Sequence, residues 1–265
     1  MEKDKPLALV TGASAGIGRT FARRLARDGY HLVLVARRHD RLDELAEELG
    51  GAETMAADLT VEADLERVED RIARASNLEL LVNNAGFGTM GRFFEIPLDG
   101  QDQMHRLHVI ATMRLSRAAL GGMIPRNKGA IINVSSVAAF GQSPGNVSYC
   151  ATKAWINSFT EGLDLELKSA ESLVRVQALC PGFTLTELHD VAGMDRKPIP
   201  AWMWMKAEDV VDASLAGLAQ GKLIVVPGGI YKAMVWLLRR LPKSLHYAGA
   251  RRYGRLMRRE AAQKR

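Results

Sequence analysis

The sequence predicts an α/β fold: a doubly wound, mostly parallel sheet of seven strands with helices on both faces, followed by a basic helical extension. Two observations carry this. Short apolar runs alternate with longer stretches of helical period along the chain to residue 227. Strands that alternate with helices are joined by right-handed crossovers, which give a parallel sheet covered on both sides. The extension is set off by charge. Residues 228–265 carry eleven Lys/Arg and one acid, Glu260, so they hold +10 of a chain whose net charge is +6, which leaves −4 for residues 1–227.

The elements follow in order. LALV (7–10) is a short buried-strand pattern, followed by a glycine-rich turn and the helix IGRTFARRLARDG. HLVLVA (31–36) is the second strand, and HDRLDELAEELG is a helix laced with i, i+4 charge pairs. ETMAAD (53–58) is strand-like and VEADLERVEDRIARA helical. LELLVN (78–83) is the fourth strand, and a long helical stretch covers roughly 99–120. GAIINVSS (129–136) is the fifth strand, before the helix VSYCATKAWINSFTEGLDLELKSA. LVRVQALC (173–180), the helix KAEDVVDASLAGLAQG and KLIVVP (222–227) complete the sheet. There is no internal repeat and no low-complexity linker. The boundary falls at PGG (227–229), giving an α/β domain over 1–227 and an extension over 228–265.

Composition narrows the class. A chain of 265 residues with 47% hydrophobic content suits one globular domain with a large core. MEKDKPLALVTG lacks the apolar core of a signal peptide, and no run of about 18 apolar residues exists to span a membrane. Two cysteines, Cys150 and Cys180, make no disulfide framework and read as core. A soluble, cytoplasmic protein is expected.

Three stretches carry chemistry. TGASAGIG (11–18) joins the first strand to the first helix, with glycines at 12, 16 and 18. It reads either as a tight turn or as a place where backbone N–H groups and a helix N-terminus approach a pyrophosphate. The second strand ends Val35-Ala36-Arg37-Arg38. An acid there would hold a ribose 2′-hydroxyl, whereas a guanidinium fork suits a 2′-phosphate, so a nucleotide at this turn is read as NADP(H). In SYCATK (148–153), Tyr149 and Lys153 stand four apart and so share a helical face. A phenol near an ammonium has its pKa drawn down from about 10. The pair is a proton-transfer device or a chance neighbourhood.

TGASAGIG, NNAG (83–86), a serine on the fifth strand, the Tyr149/Lys153 pair and PGFTLT (181–186) occur in this order over residues 7 to about 227, and together they resemble the compact single-domain short-chain dehydrogenases/reductases. The resemblance implies a Rossmann-like domain that binds NAD(H) or NADP(H) and interconverts alcohols and carbonyls by hydride transfer. It implies that Tyr149 is the general acid/base, that Lys153 lowers its pKa and holds the nicotinamide ribose, and that Ser136, rather than the adjacent Ser135, binds the reacting oxygen. It assigns Gly12, Ser14, Gly16, Ile17 and Gly18 to the cofactor turn, Asp58 and Leu59 to the adenine end, and Asn84, Ala85 and Gly86 to the cofactor-lining loop. Pro181, Gly182, Thr184 and Thr186 correspond to the carboxamide segment. One position departs: where the family has an asparagine that positions a water near the lysine, this chain has His108. His108 reads as a substitute in a proton relay, titrating near neutrality, or as an imidazole packed between helices. Homodimers or homotetramers built on the long helices flanking the fifth strand are common in the family.

The stretch 187–206 stands where the family forms a substrate lid. Its Met194, Ile199, Trp202, Met203, Trp204 and Met205 suit a hydrophobic substrate or pack the lid on the body. Glu187, His189, Asp190 and Asp195 lack metal-ligand spacing, and no metal is expected. In GIYKAMVWLLRRL, Ile230, Met234, Leu237, Leu238 and Leu241 share a face, with Trp236 and cations opposite. Residues 230–259 therefore read as a peripheral membrane contact, as a helix docked on the body or over the pocket, or as an oligomer contact. The basic residues lack interleaved aromatics, so nucleic-acid binding is not expected. The alternative to an enzyme is a non-catalytic NADP(H)-binding sensor or scaffold that uses this tail for a partner.

Overall fold

The computed structural model describes residues 5–187, 199–242, 244, 245, 247 and 249–251. Seven strands form one parallel sheet: β1 (Leu7–Thr11), β2 (His31–Ala36), β3 (Glu53–Ala56), β4 (Leu78–Asn83), β5 (Ala130–Val134), β6 (Arg175–Leu179) and β7 (Ile224–Val225), in the order β3-β2-β1-β4-β5-β6-β7. The helices are α1 (Gly16–Arg27), α2 (His39–Glu48), α3 (Glu62–Ala73), α4 (Leu98–His105), α5 (Thr112–Arg126), α6 (Val147–Ser169), α7 (Ala207–Ala219) and α8 (Gly229–Arg240).

The alternation of side chains along each strand separates two cores. Leu7 and Leu9 of β1, with Val33 and Val35 of β2, pack under α3 and α5 against Leu65, Val68, Leu115 and Met123. Ala8 and Val10, with Leu32 and Leu34, pack on the other side against Phe21 and Leu25 of α1, Leu42 and Leu45 of α2, and Val210 of α7. Both faces of each central strand are buried, which is why these strands read as continuous apolar runs. Between β1 and β4 the strand order reverses. The loops leaving their C-terminal ends diverge there and leave a crevice.

Two elements differ from the sequence reading. The long helix expected over 99–120 is interrupted by a wider π-helical turn, Arg106–Ala111, and α5 then runs through Pro125 to Arg126. Such a turn re-aims a side chain within an otherwise regular helix, and here it carries His108. The first helix of the extension, α8, packs on the body. α8 docks with Tyr231 and Val235 buried, whereas Ile230 and Leu237 of the expected apolar face are exposed. The helix is turned because the Tyr231 ring, left out of that face, lies flush on Gly182: a Cβ on Gly182 would sit 2.1 Å from it. The Tyr231 hydroxyl donates to Met203 O at 2.6 Å and accepts from Phe183 N–H at 3.0 Å. The boundary at 227–229 is thus one of charge and not of packing. Residues 252–259 of the expected membrane-facing stretch lie outside the described residues. No helix among the described residues is long and apolar enough to cross a membrane.

Candidate active site

The turn after β1 makes the floor of the crevice. Gly12 and Gly16 have φ of +67° and +53°, a region costly for any residue with a Cβ. Thr11 stitches the turn to the loop after β4: its Oγ accepts from Asn84 N–H and Ala85 N–H, both at 3.0 Å, and its hydroxyl donates to Val82 O at 3.3 Å. The Asn84 side chain donates to Thr11 O at 2.8 Å and to Gly12 O at 3.3 Å. Asn84 therefore holds the turn's shape through its amide group, and Thr11, which sequence reasoning passed over, does the same from the other side. Ala15 gives α1 no side-chain cap, which leaves the first-turn N–H groups without a side-chain acceptor where Ala15, Gly16 and Ile17 line the crevice.

The crevice opens into a cavity of about 1200 Å³. Its wall includes Gly12, Ser14, Gly16, Ile17, Arg37, Arg38, Asp58, Leu59, Asn84, Ala85, Gly86, His108, Ser136, Tyr149, Lys153, Pro181, Gly182, Thr184 and Thr186. Of the residues expected at the site, Gly18 alone is not on this wall. It sits behind the turn, where a Cβ would be 2.3 Å from Gly12 O, so its role is close packing. At the β2 end, Arg38 donates to Ser14 Oγ at 3.2 Å and pairs with Glu187 at 3.0 Å. Arg37 reaches within 3.9 Å of Asp58. Asp58 also accepts from Thr60 N–H and Thr60 Oγ–H at 3.0 and 2.8 Å.

Beyond β5, Ser136 begins a single tight turn, Val137–Phe140, and its Oγ accepts from Ala138 N–H at 3.1 Å. Ser135 points the other way and donates to Lys153 O at 2.9 Å. Tyr149 and Lys153 share one face of α6, with Lys153 Nζ 5.7 Å from the Tyr149 ring centre and donating to Val134 O at 2.9 Å. Burial pushes the Tyr149 phenol above its usual pKa, with a hydrogen bond to Ser136 pulling the other way. The depression expected from Lys153 is not what sets the phenol here; desolvation is the largest cause and raises it. Burial also brings Lys153 down from 10.5 to about 8. His108 is buried in the π-helical turn. Its Nε2 accepts from Phe87 N–H at 3.2 Å, which leaves Nδ1–H to donate to Thr152 Oγ at 2.9 Å. Burial, with the charge of Lys153 adding to it, holds the imidazole well below its usual pKa, so it stays neutral and does not titrate near pH 7.

The expected lid is divided by the structure. Residues 188–198, including Met194, His189, Asp190 and Asp195, lie outside the described residues. Of the others, Met203 lines the cavity, Trp202 is exposed, and Met205 packs on the core beside α7 and bridges to Thr184. Trp204 lies against Phe183, ring centres 5.5 Å apart. Phe87, Met90, Leu107 and Phe183, together with Met234 and Leu238 of α8, also give the cavity apolar lining. The helix docking that put α8 there depends on Tyr231, whose pairing with Gly182 has no sequence signature. Among the described residues, no group of three or more His, Cys, Asp or Glu is arranged to hold a metal ion. Cys150 and Cys180 are buried, and burial pushes the Cys180 thiol up to about 12.

Fold and cavity together give a doubly wound α/β domain with a candidate active centre at the sheet's switch point. Residues 6–197 match the family model described as short chain dehydrogenase, and the chain belongs to that family, whose members interconvert alcohols and carbonyls. It is 34% identical over 238 residues to an L-xylulose reductase of Mesocricetus auratus, covering 84% of this chain and 95% of that protein. Among solved structures, it resembles a short-chain dehydrogenase from Sphingobium yanoikuyae in complex with NADPH, with a TM-score of 0.79 and 36% identity over 89% of this chain and 96% of that one. It also resembles a bulky-bulky ketone specific alcohol dehydrogenase from Comamonas testosteroni, with a TM-score of 0.75 and 32% identity over 95% and 94% of the two chains.

Proposed function

We propose that the protein is an NADP(H)-dependent reductase or dehydrogenase that interconverts a carbonyl and a secondary or primary alcohol on a bulky, apolar substrate. The observation that carries this is that Ser136, Tyr149 and Lys153 open onto the same cavity as the glycine turn and Arg38. The residues present fit a dinucleotide. A Cβ on Gly12 would meet Asn84 at 2.8 Å and one on Gly16 would meet Thr186 at 2.9 Å, so the turn admits only glycine at these positions, as a pyrophosphate-binding turn requires. Arg38 and Ser14 offer donors where a 2′-phosphate would lie, and the related Sphingobium yanoikuyae structure contains NADPH. Bound there, the cofactor supplies or accepts the hydride at the substrate carbon.

In reduction Tyr149 donates its proton to the substrate oxygen. A phenol whose pKa is raised by burial is fully protonated at neutral pH, which suits an acid. Ser136 holds the same oxygen by a hydrogen bond. Lys153 holds the nicotinamide ribose hydroxyls, and its charge over the Tyr149 ring favours the phenolate when the reaction runs toward the carbonyl. His108 acts as a positioning residue rather than a relay, since both its ring nitrogens are engaged in fixing the Phe87 backbone to Thr152. The apolar wall and the likeness to the bulky-bulky ketone dehydrogenase support a large hydrophobic substrate. A homodimer or homotetramer through α5 and α6 is supported by the exposed Met113 and Leu165 on those helices. The sensor reading gains nothing from this site, because binding alone needs no phenol, serine and ammonium converging.

The test is NADPH oxidation against ketones and aldehydes of graded size, with Tyr149→Phe as control. Turnover should rise with apolar bulk. Tyr149→Phe should lose at least about 100-fold in kcat/KM while NADPH affinity stays within about 3-fold. Tight NADPH binding with no turnover on any compound would favour the sensor.

A further inference from the structure

Glu187, immediately after the PGFTLT segment, reaches across 149 residues of sequence to Arg38 at the end of β2 and across 146 to Arg41 in the first turn of α2. Each carboxylate oxygen takes one guanidinium: Oε2 accepts from Arg38 Nη1 at 3.0 Å, and Oε1 from Arg41 Nη1 at 2.6 Å. Arg38 is at the same time the donor to Ser14 Oγ, on the glycine turn. The carboxylate thus sits among two cations and a hydroxyl at the rim of the crevice, and Glu187 lines the cavity. These hydrogen bonds, from Arg41 first and Arg38 second, hold its carboxyl below the usual range, so it is ionised at neutral pH. Arg37 stands outside this cluster, within 3.9 Å of Asp58.

We propose that Glu187 is an internal occupant of the 2′-phosphate subsite formed by Arg38, Arg41 and Ser14, and that a phosphorylated ribose must displace it. The inference rests on the NADP(H) reading above and adds Arg41 and Glu187 to it. A carboxylate and a phosphate are both oxyanions that take planar guanidinium donors in pairs, so they compete for the same N–H groups. They also repel each other when close. Two arginines one helical turn apart, left without an anion, would repel as well; Glu187 neutralises them in the free protein. It therefore lowers the affinity for a 2′-phosphate while leaving a nucleotide with a bare 2′-hydroxyl unaffected, which makes it a determinant of the NADP(H) over NAD(H) ratio.

The test is calorimetric binding of 2′,5′-ADP and of 5′-AMP to the full chain, wild type and Glu187→Gln, at low salt. The glutamine keeps the size and an acceptor oxygen but removes the charge. 2′,5′-ADP should bind the variant about 3- to 10-fold more tightly than wild type, with the difference shrinking as salt screens it, and 5′-AMP should be unchanged within about 2-fold. Arg41→Met should weaken 2′,5′-ADP alone. An unchanged affinity of Glu187→Gln for 2′,5′-ADP overturns the proposal while leaving the NADP(H) reading standing. Weaker 5′-AMP binding in that variant overturns it too, by making Glu187 a ribose ligand. Equal affinity of the wild type for the two probes removes the NADP(H) reading, and the proposal with it.

Discussion

Lys153 shows most directly how one buried charge trades stability for chemistry. Its side chain is enclosed, and its pKa falls from 10.5 to about 8. Between those two values the unfolded chain binds the proton and the folded chain does not, so stability rises with pH through that window. Below pH 8 both states hold the proton, and the folded state carries the full cost of burying it. A shift of this size corresponds to roughly 3 kcal/mol, less what the bond to Val134 O restores. Lys153→Met should therefore be more stable than wild type at pH 7, by about 1–3 kcal/mol, with the gain fading toward pH 10. Urea unfolding at several pH values reads this; a variant that is less stable at pH 7 would contradict it. At this scale the sequence was informative about identity and poor about environment. The four-residue spacing of Tyr149 and Lys153 put them on one helical face, but spacing says nothing of how deeply that face is buried. The sign of the tyrosine's shift was consequently misread. Gly18 and Asn84 also shape the glycine turn by packing and hydrogen bonding that one stretch of sequence does not display.

At the scale of elements, every strand was legible, because a strand buried on both faces is an apolar run between turns: β2 and β4 have the expected bounds, β1 runs one residue further, and the other four end one or two residues inside one or both of their expected limits. What was not legible was the rotation of α8. An apolar face drawn from Ile230, Met234, Leu237, Leu238 and Leu241 is sound as periodicity, but the helix is turned by a tyrosine that counts as polar on such a wheel. The Tyr231 hydroxyl gains two partners by being buried, and its ring fills the space that Gly182 leaves. In consequence Met234 and Leu238 face the cavity. Met234→Ala with Leu238→Ala should enlarge the cavity there. The expected outcome is a rise in kcat/KM for the largest ketones relative to the smallest by about 10-fold, or about 1.4 kcal/mol of discrimination. A uniform fall across the ketone series, with no change in rank, would show that these side chains serve only to dock the helix.

For the whole molecule, charge was a misleading guide to organisation. The −4 body and the +10 tail suggested two units, yet α8 belongs to the packed body. The long helices tell a different story on their outer faces. Leu165 of α6 and Met113 of α5 are exposed in the single chain, and in the proposed paired assembly a second copy would cover them. Sedimentation should give two or four times 29.1 kDa, and Met113→Asp with Leu165→Asp should shift the distribution toward one. A wild-type chain that sediments as a single copy at micromolar concentration would set aside the paired assembly. The docking of α8 has one more effect, on how such an enzyme can diverge. The groups proposed to carry the reaction, Ser136, Tyr149 and Lys153, come from the middle of the chain, just after β5 and on α6. Part of the cavity wall, Tyr231, Met234 and Leu238, comes from a helix of twelve residues much later in the chain. Changes in that helix can redraw which molecules are accepted while the reaction itself is left alone, so a gene carrying this fold can acquire a new preference by altering a stretch that never touches the hydride's path.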